Sequence, residues 1–269
     1  MHSHRATPKI SVITAVFNRA QTIEQALDSV RSQTWPEVEH VVIDGASTDG
    51  TLEILRAHED RIDVLVSEQD DGIYHALNKG LARATGEVVG LMHSDDFFAN
   101  DRVLEKVAAA FADPAVDGVY ADLDYVAKDE PGRIVRHWKS GQYLPRKLAW
   151  GWMPPHPTLY LRRSVIEQWG GFDTSFRVAA DYDAMLRYLA KGGIRLAYIP
   201  EVLIKMRVGG ESNRSLTHIM RKSREDHRAL RKNGVGSFGT LILKNVSKIG
   251  QFLHAAKLNK ASAGQATPP

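Results

Sequence analysis

Residues 9–51 read KISVITAVFNRAQTIEQALDSVRSQTWPEVEHVVIDGASTDGT, and their pattern decides the fold class. Ile10–Phe17 is an apolar run bounded by polar residues, as in a strand buried on both faces. Ile23, Ala26, Leu27 and Val30 then recur at helical spacing. Val38–Ile43 is a second strand, and the DGASTDGT that closes it is a polar turn with glycines. A strand, a crossover helix and a second strand form the unit from which parallel sheets are built.

The pattern continues outward. Thr51–His58 reads as a short helix, Ile62–Ser67 as a third strand, and Ile73–Ala84 as a helix with Ile73, Ala76, Leu77, Leu81 and Ala84 on one face. Val88–Met92 is a fourth strand, followed at once by HSDD, and Asn100 is placed to cap a helix over Asp101–Phe111. Beyond this the chain is less regular. Asp117–Val126 and Arg133–Trp138 read as an antiparallel pair. Gln142–Pro157, rich in Trp and Pro, reads as loop, Leu159–Arg162 as a strand and Ser164–Trp169 as a helix. Asp181–Lys191 is a helix, Ile194–Ile199 a strand, and helix dominates from Ser215. The expected class is α/β, a mostly parallel sheet flanked by helices with a helical C-terminal extension.

Composition bounds the rest. The chain has 269 residues, 43% hydrophobic and 25% charged, enough for a full core without covalent staples. It has no cysteine, which excludes disulfides, thiolate metal sites and a cysteine nucleophile. The formal net charge of +3, from 35 basic and 32 acidic residues, is too balanced for a dedicated nucleic-acid binder. Residues 1–8 lack the apolar core of a signal peptide, and no run approaches the ~18 apolar residues of a transmembrane helix. The expected location is cytoplasmic, with the inner face of the membrane as a peripheral option.

In such sheets ligands sit beyond the carboxyl ends of the strands, and those ends here carry Asn18, Asp44, Glu68 to Asp71 and His93 to Asp96. Asp95 and Asp96 are adjacent carboxylates that repel each other. A hard cation such as Mg²⁺ or Mn²⁺, itself gripping a diphosphate, would compensate them. The plainer alternative is a helix-initiating turn. Asp44 could accept hydrogen bonds from a base or ribose, or simply fix a turn with Ser47, Thr48 or Asp49. Glu68, Asp70 and Asp71 crowd the end of the third strand, and Lys79 could offset phosphate charge or line the surface. Asp181 opens a helix, where the dipole favours its ionised form; it could be a general base or an N-cap.

As a set these segments resemble the family 2 glycosyltransferases of the GT-A (Rossmann-like) fold. The resemblance runs through ISVITAVFNRAQTIEQALDSVRSQ, VVIDGASTDGT, EQDDGIYHALNKGLARATGEVVGLMHSDD, PHPTLYLRRSVIEQWGGFDTSFRVAADYDAMLRYLAKGG and YIPEVLIKMRVGGES, roughly residues 9–213. It is strongest to the bacterial branch that builds exopolysaccharides, lipopolysaccharide-type glycans and glycolipids. It implies an inverting, metal-dependent hexosyl transfer from a nucleotide sugar to a hydroxyl, with Mn²⁺ or Mg²⁺ as cofactor and a glycan or lipid-linked acceptor. By position, Thr14, Ala15 and Val16 match the segment lining the nucleotide pocket, and Asp44 the acid that binds the base. Gly45 stands where the family has a second acid. Asp70 and Asp71 match the region around the nucleoside, Lys79 the basic position after it, and Ser94 and Asp95 the donor-contacting end of the metal motif. Asp95 matches the final acid of that motif, His93 takes the place of its first acid, and Asp96 is a further candidate ligand. Asp181 matches the acid that supplies the base, and Ala180 replaces the Glu before it, so whatever orients the base must come from elsewhere. His156, Arg162 and Arg207 match positions near the acceptor and diphosphate, with Arg207 on the donor side; Asp183, two residues past the base, is a secondary acceptor candidate.

Residues 214–260 form a basic extension. Phe238, Leu241, Ile242, Val246, Ile249, Phe252 and Leu253 recur at helical spacing among Lys244, Lys248, Lys257 and Lys260. Such a helix packs on its own enzyme, on another subunit, or in a membrane interface. Residues 261–269 are small and polar, and they and residues 1–8 are expected to be disordered. The competing function is a nucleotide-sugar-binding protein without catalysis. A nucleotidyltransferase would need a glycine-rich loop after the first strand, where VFNRAQT stands.

Overall fold

A computed structural model describes residues 7–208, 216–236 and 238–246. The chain begins as expected: β1 (Ile10–Val16), α1 (Ile23–Arg31), β2 (Val38–Asp44), α2 (Thr51–Ala57), β3 (Val64–Ser67), α3 (Ile73–Arg83) and β4 (Val88–Leu91). These strands lie parallel in the order β3-β2-β1-β4. Successive residues of β1 feed opposite layers. Ile10 and Val12 pack with Ala26 and Val30 of α1, whereas Ile13 and Ala15 pack with Ala76 and Leu77 of α3. Burial on both faces is why β1 reads as an unbroken apolar run. Gly80 lets α3 press onto the sheet, since a Cβ there would overlap the Ile13 side chain. Ile73, expected on the buried face of this helix, is 45% exposed, because the face runs through Tyr74, Leu77 and Leu81 instead.

The remaining elements are β5 (Phe97–Phe98), α4 (Val103–Ala110), β6 (Gly118–Val126), β7 (Ile134–Trp138), β8 (Tyr160–Arg162), α5 (Arg163–Trp169), α6 (Ala180–Leu186), β9 (Leu196–Arg207), α7 (Leu216–Asn233) and α8 (Phe238–Val246). The sheet continues β4-β8-β6-β9-β5, with β7 on β6. β8 runs antiparallel to both β4 and β6, and β9 is parallel to β6. β9 is longer than its apolar core suggests. The register slips so that Ala121 faces Ile199 and Asp122 faces Val202, leaving Pro200 and Glu201 in a bulge. A bulge tolerates a residue without an N–H, so the strand resumes after the proline. The helix expected over Asp181–Lys191 is α6 followed by a π turn at Arg187–Lys191.

The C-terminal helices are built into the molecule. Ala229 and Leu230 of α7 and Leu241 of α8 join one buried cluster with Tyr182, Met185 and Leu186 of α6. Lys244 of α8 lies over the Tyr182 ring at 3.3 Å and pairs with Asp226 at 2.9 Å. No helix among the described residues is long and apolar enough to cross a membrane. The expectations for residues 1–6 and for everything beyond 246, including Ile249, Phe252, Leu253 and the tail, lie outside the described residues.

Candidate active site

The parallel strands deliver their polar ends to one edge. Val16 pairs with Asp44 and Asp44 with Ser67, while Met92 N–H donates to Ile13 carbonyl. Around the first of these ends the loops are strained. Asn18 (φ 51°) and Ala46 (φ 61°) occupy left-handed backbone where side chains are disfavoured. The strain is held by cross-loop bonds: Asn18 N–H donates to Ser47 Oγ at 2.8 Å, and Thr48 N–H to Asn18 Oδ1 at 2.9 Å.

Asp44 is fully buried and organises this loop. Its carboxylate accepts Ser47 Oγ at 2.5 Å, Ser47 N–H at 3.1 Å and Ser67 Oγ at 2.6 Å. Asp70 lies close by, its Oδ2 3.6 Å from where a Gly45 Cβ would stand. Asp70 pairs with Lys79 Nζ at 2.5 Å, and Glu68 with the same nitrogen at 2.9 Å. Lys79 therefore balances the acids of its own loop. Asp71 is exposed beside them. Thr14, Ala15 and Val16 present no side chain here. All three are buried, and Thr14 Oγ1 is 3.0 Å from His40 Nε2 inside the sheet. The side chain presented just beyond β1 is Phe17, 57% exposed and beside Gly45. Phe17 read as the last member of the apolar run, but the strand ends one residue earlier.

In the middle of the edge, the two adjacent acids are treated oppositely. Asp95 is half-buried, whereas Asp96 is fully buried. Burial, reinforced by Asp95, pushes the Asp96 carboxyl well above the usual range, and its Oδ1 accepts Arg207 N–H at 3.1 Å. Asp96 is thus removed from the expected metal ligands, because a buried group facing β9 cannot reach an ion in the cleft. Arg207 is also tied down: its guanidinium donates to Asp95 carbonyl at 2.6 Å and to Gln25 Oε1. It braces the loop from behind. Ser94 is buried, and its carbonyl accepts Thr22 Oγ1 at 2.9 Å. Among the described residues no group of three or more His, Asp or Glu side chains stands ready to hold a metal.

His93 links the middle to the far end. Burial lowers its pKa, with the charges of Asp95 and Asp181 pulling the other way. Its ring lies 6.1 Å from that of His156, whose Nδ1 is 4.0 Å from Asp181 Oδ2. Burial drives His156 down to about 4, so at neutral pH this contact is between a carboxylate and a neutral imidazole. Asp181 itself is 31% exposed. Burial alone would raise its pKa, but His156, Lys222 and Lys244 outweigh it and leave the carboxyl below its usual range. Asp95 and Asp181, 86 positions apart in the chain (181 − 95), thus share one neighbour. An ionised, recessed carboxylate can abstract a proton from a hydroxyl held within hydrogen-bond reach.

The family model described as Glycosyl transferase family 2 matches residues 11–170, more than half of the chain. This chain is a family 2 glycosyltransferase. An uncharacterised glycosyltransferase of Mycobacterium tuberculosis is 32% identical over 184 residues, 68% of this chain and 69% of the relative. A PGL/p-HBAD biosynthesis glycosyltransferase of Mycobacterium bovis is 28% identical over 212 residues, 77% of this chain and 80% of the relative. The structure of the Pyrobaculum calidifontis mannosyltransferase PcManGT, in complex with GDP-Man and Mn²⁺, superposes with a TM-score of 0.66 at 24% identity, covering 97% of this chain and 77% of that one. The GT-A fold expected from the sequence is the fold of this glycosyltransferase.

Two expected acceptor residues of the glycosyltransferase lie elsewhere. Arg162 pairs with Val88 at the start of β4, because β8 runs antiparallel and ends at the opposite edge of the sheet. Its guanidinium donates to Val116 carbonyl at 2.7 Å and Phe111 carbonyl at 3.1 Å. Asp183 is fully buried, pairing with Arg187 at 2.7 Å and Lys232 at 3.0 Å, and holds α6 to α7. An open groove of ≈ 690 Å³ beside α3 and α5, lined by Asn78, Arg163, Trp169 and Arg187 among others, contains none of the cleft carboxylates. We place the chemistry at the strand ends, where the charged groups converge, rather than in that groove.

Proposed function

We propose that this glycosyltransferase transfers a hexose from a nucleoside-diphosphate sugar to a hydroxyl of a glycan or lipid-linked acceptor, with inversion at the anomeric carbon, in envelope polysaccharide or glycolipid assembly. The observation that carries the reading is Asp181: recessed, ionised, and joined through His156 and His93 to the Asp95 loop. The names of relatives support the product class, including the succinoglycan biosynthesis protein ExoO of Rhizobium meliloti. Structural neighbours described with GDP-Man and with UDP-GlcNAc support the donor class.

The nucleoside end falls at Phe17, the Asp44 loop and Asp70, with the base stacked on the exposed phenyl ring. Asp44 acts by shaping the loop. The diphosphate lies over Ser94 and Asp95. The acceptor hydroxyl sits between the anomeric carbon and Asp181, with His156 beside it. Its oxygen forms the new bond to that carbon as its proton passes to Asp181. The bond from the carbon to the diphosphate oxygen breaks, and its electron pair leaves with the nucleoside diphosphate. The half-buried Asp95 carboxylate and a His93 imidazole nitrogen, hard and borderline ligands, are the residues that would hold a divalent cation, with diphosphate oxygens supplying further ligands. Bound there, Mn²⁺ or Mg²⁺ would stabilise charge on the leaving diphosphate.

A lipid-linked acceptor is supported by the surface of α8. Ile242 and Leu243 are 53% and 49% exposed, and α8 is anchored beside Trp150, itself 60% exposed, by Thr240 Oγ1 donating to Ala149 carbonyl at 2.8 Å. Exposed apolar side chains on one face of an otherwise packed helix suit a membrane interface. The deciding experiment is a screen of nucleotide sugars with Mn²⁺ or Mg²⁺, scoring nucleoside diphosphate release with saccharide and lipid acceptors. Turnover with one donor, abolished by chelation, is expected. Tight donor binding without release in every combination would leave a sugar-nucleotide binder in place of an enzyme.

A further inference from the structure

The orientation of Asp181 is imposed from outside its own helix. The residue before it, Ala180, is fully buried and offers no polar side-chain atom. Instead the Tyr74 hydroxyl, on α3, lies 3.1 Å from Asp181 Oδ1 and 2.9 Å from Val178 carbonyl. One hydroxyl has one proton, so it is shared between these two acceptors. The Tyr74 ring is fixed against Phe172 at 5.6 Å, and His156 meets Phe172 edge-on at 5.7 Å. The backbone before Asp181 is held as well. Glu225, on α7, accepts the N–H groups of Arg177, Val178 and Ala179 at 3.2, 2.8 and 3.0 Å. Ala179 is the N-cap of α6, where no local side chain provides a cap, and Arg177 and Val178 form the turn that leads into it.

We propose that Tyr74 is a positioning residue for Asp181, donating to Oδ1 while Glu225 fixes the turn that carries the carboxylate. The inference rests on reading Asp181 as the base. The arrangement does two things. It leaves Oδ2, on the His156 side, as the oxygen that meets the acceptor hydroxyl. It also keeps the carboxylate ionised, because a hydrogen bond to the charged form favours that form. Burial pushes the Tyr74 hydroxyl up, away from ionisation, so it remains a donor throughout the working pH range. When Asp181 takes the acceptor proton, the Tyr74 hydroxyl can turn fully to Val178 carbonyl, and no buried donor is stranded.

The test is Tyr74→Phe, which keeps the ring and its packing, measured with Asp181→Asn and the double variant. Tyr74→Phe is expected to lower kcat by roughly 10-fold, the scale of a hydrogen bond to a charged group, with the donor KM unchanged. The acid limb of its pH–rate profile moves to higher pH, since the carboxylate has lost a donor. In the Asp181→Asn background the same change has no further effect on residual turnover. Glu225→Gln, which retains an acceptor oxygen, keeps more activity than Glu225→Ala. A wild-type rate and an unmoved acid limb in Tyr74→Phe, with Asp181→Asn inactive, would overturn the positioning role. Full activity in Asp181→Asn would overturn the base assignment instead, so the two failures are distinct.

Discussion

The two edges of the parallel sheet treat their carboxylates differently. Where the strands begin, Glu39 is buried and saturated: it takes Lys9 Nζ at 2.8 Å, Ser11 Oγ at 2.5 Å, and both Thr85 N–H and Oγ1. Burial alone would raise its pKa, but these partners outweigh it and hold it at about 2. Where the strands end, Asp44 is saturated in the same way, but Asp70 beside it meets only Lys79 among the described residues. Buried polar atoms left unmatched cost free energy, so a fold keeps them where something else is gained. The strand-start carboxylate is arranged for stability, whereas the strand ends leave Asp70 less completely matched.

The sharpest way to break this division is at Asp181. Asp181→Asn preserves shape and removes the base, so kcat should fall by roughly 10²–10⁴. Donor affinity by calorimetry and the melting temperature should stay near wild type. A variant that unfolds, or that turns over normally, would erase the contrast with Glu39.

Glu39 supplies the opposite case. Its shift from 4.5 to about 2 corresponds to stabilisation on the order of 3 kcal/mol. The folded pKa is depressed, so this contribution is present above pH ~4.5 and is lost as pH falls toward ~2. Glu39→Ala should lower the melting temperature by several degrees at neutral pH and flatten the acid dependence of denaturation between those limits. Turnover per folded molecule should not change. Loss of activity without loss of stability would show that the strand-start edge also communicates with the cleft.

The sequence exposed the half of the molecule in which pattern and burial coincide. β1, β2 and β4 and the helices between them were legible because these strands are buried along nearly their whole length, with β3 at the partly exposed edge. Asp44, Asp95 and His93 were legible as strand-end residues. Arg162 and Asp183 were misplaced for a common reason: their settings depend on long-range packing. Nothing local says that β8 runs antiparallel and carries Arg162 to the far edge, or that Asp183 meets Lys232 from α7. Tyr74 and Glu225 escaped for the same reason, since each acts on a residue more than forty positions away. Phe17 was a different omission. It followed an apolar run and read as its last member, whereas the strand ends at Val16 and the next side chain turns outward.

Phe17 also gives the smallest and cleanest test of the ligand edge. An aromatic ring that is 57% exposed contributes little to a core, so Phe17→Ala should shift unfolding free energy by no more than about 0.5 kcal/mol. If the ring is a platform for the base, its loss removes base–aromatic stacking of about 1–2 kcal/mol. Donor KM should then rise by roughly 5–30-fold with kcat unchanged, because contact with the base is the same in the ground state and the transition state. Phe17→Tyr should restore affinity. An equal rise in acceptor KM, or a drop in kcat alone, would move Phe17 from the nucleoside to the reacting centre. The donor end of the cleft would then have to be sought along Asp70 and Lys79.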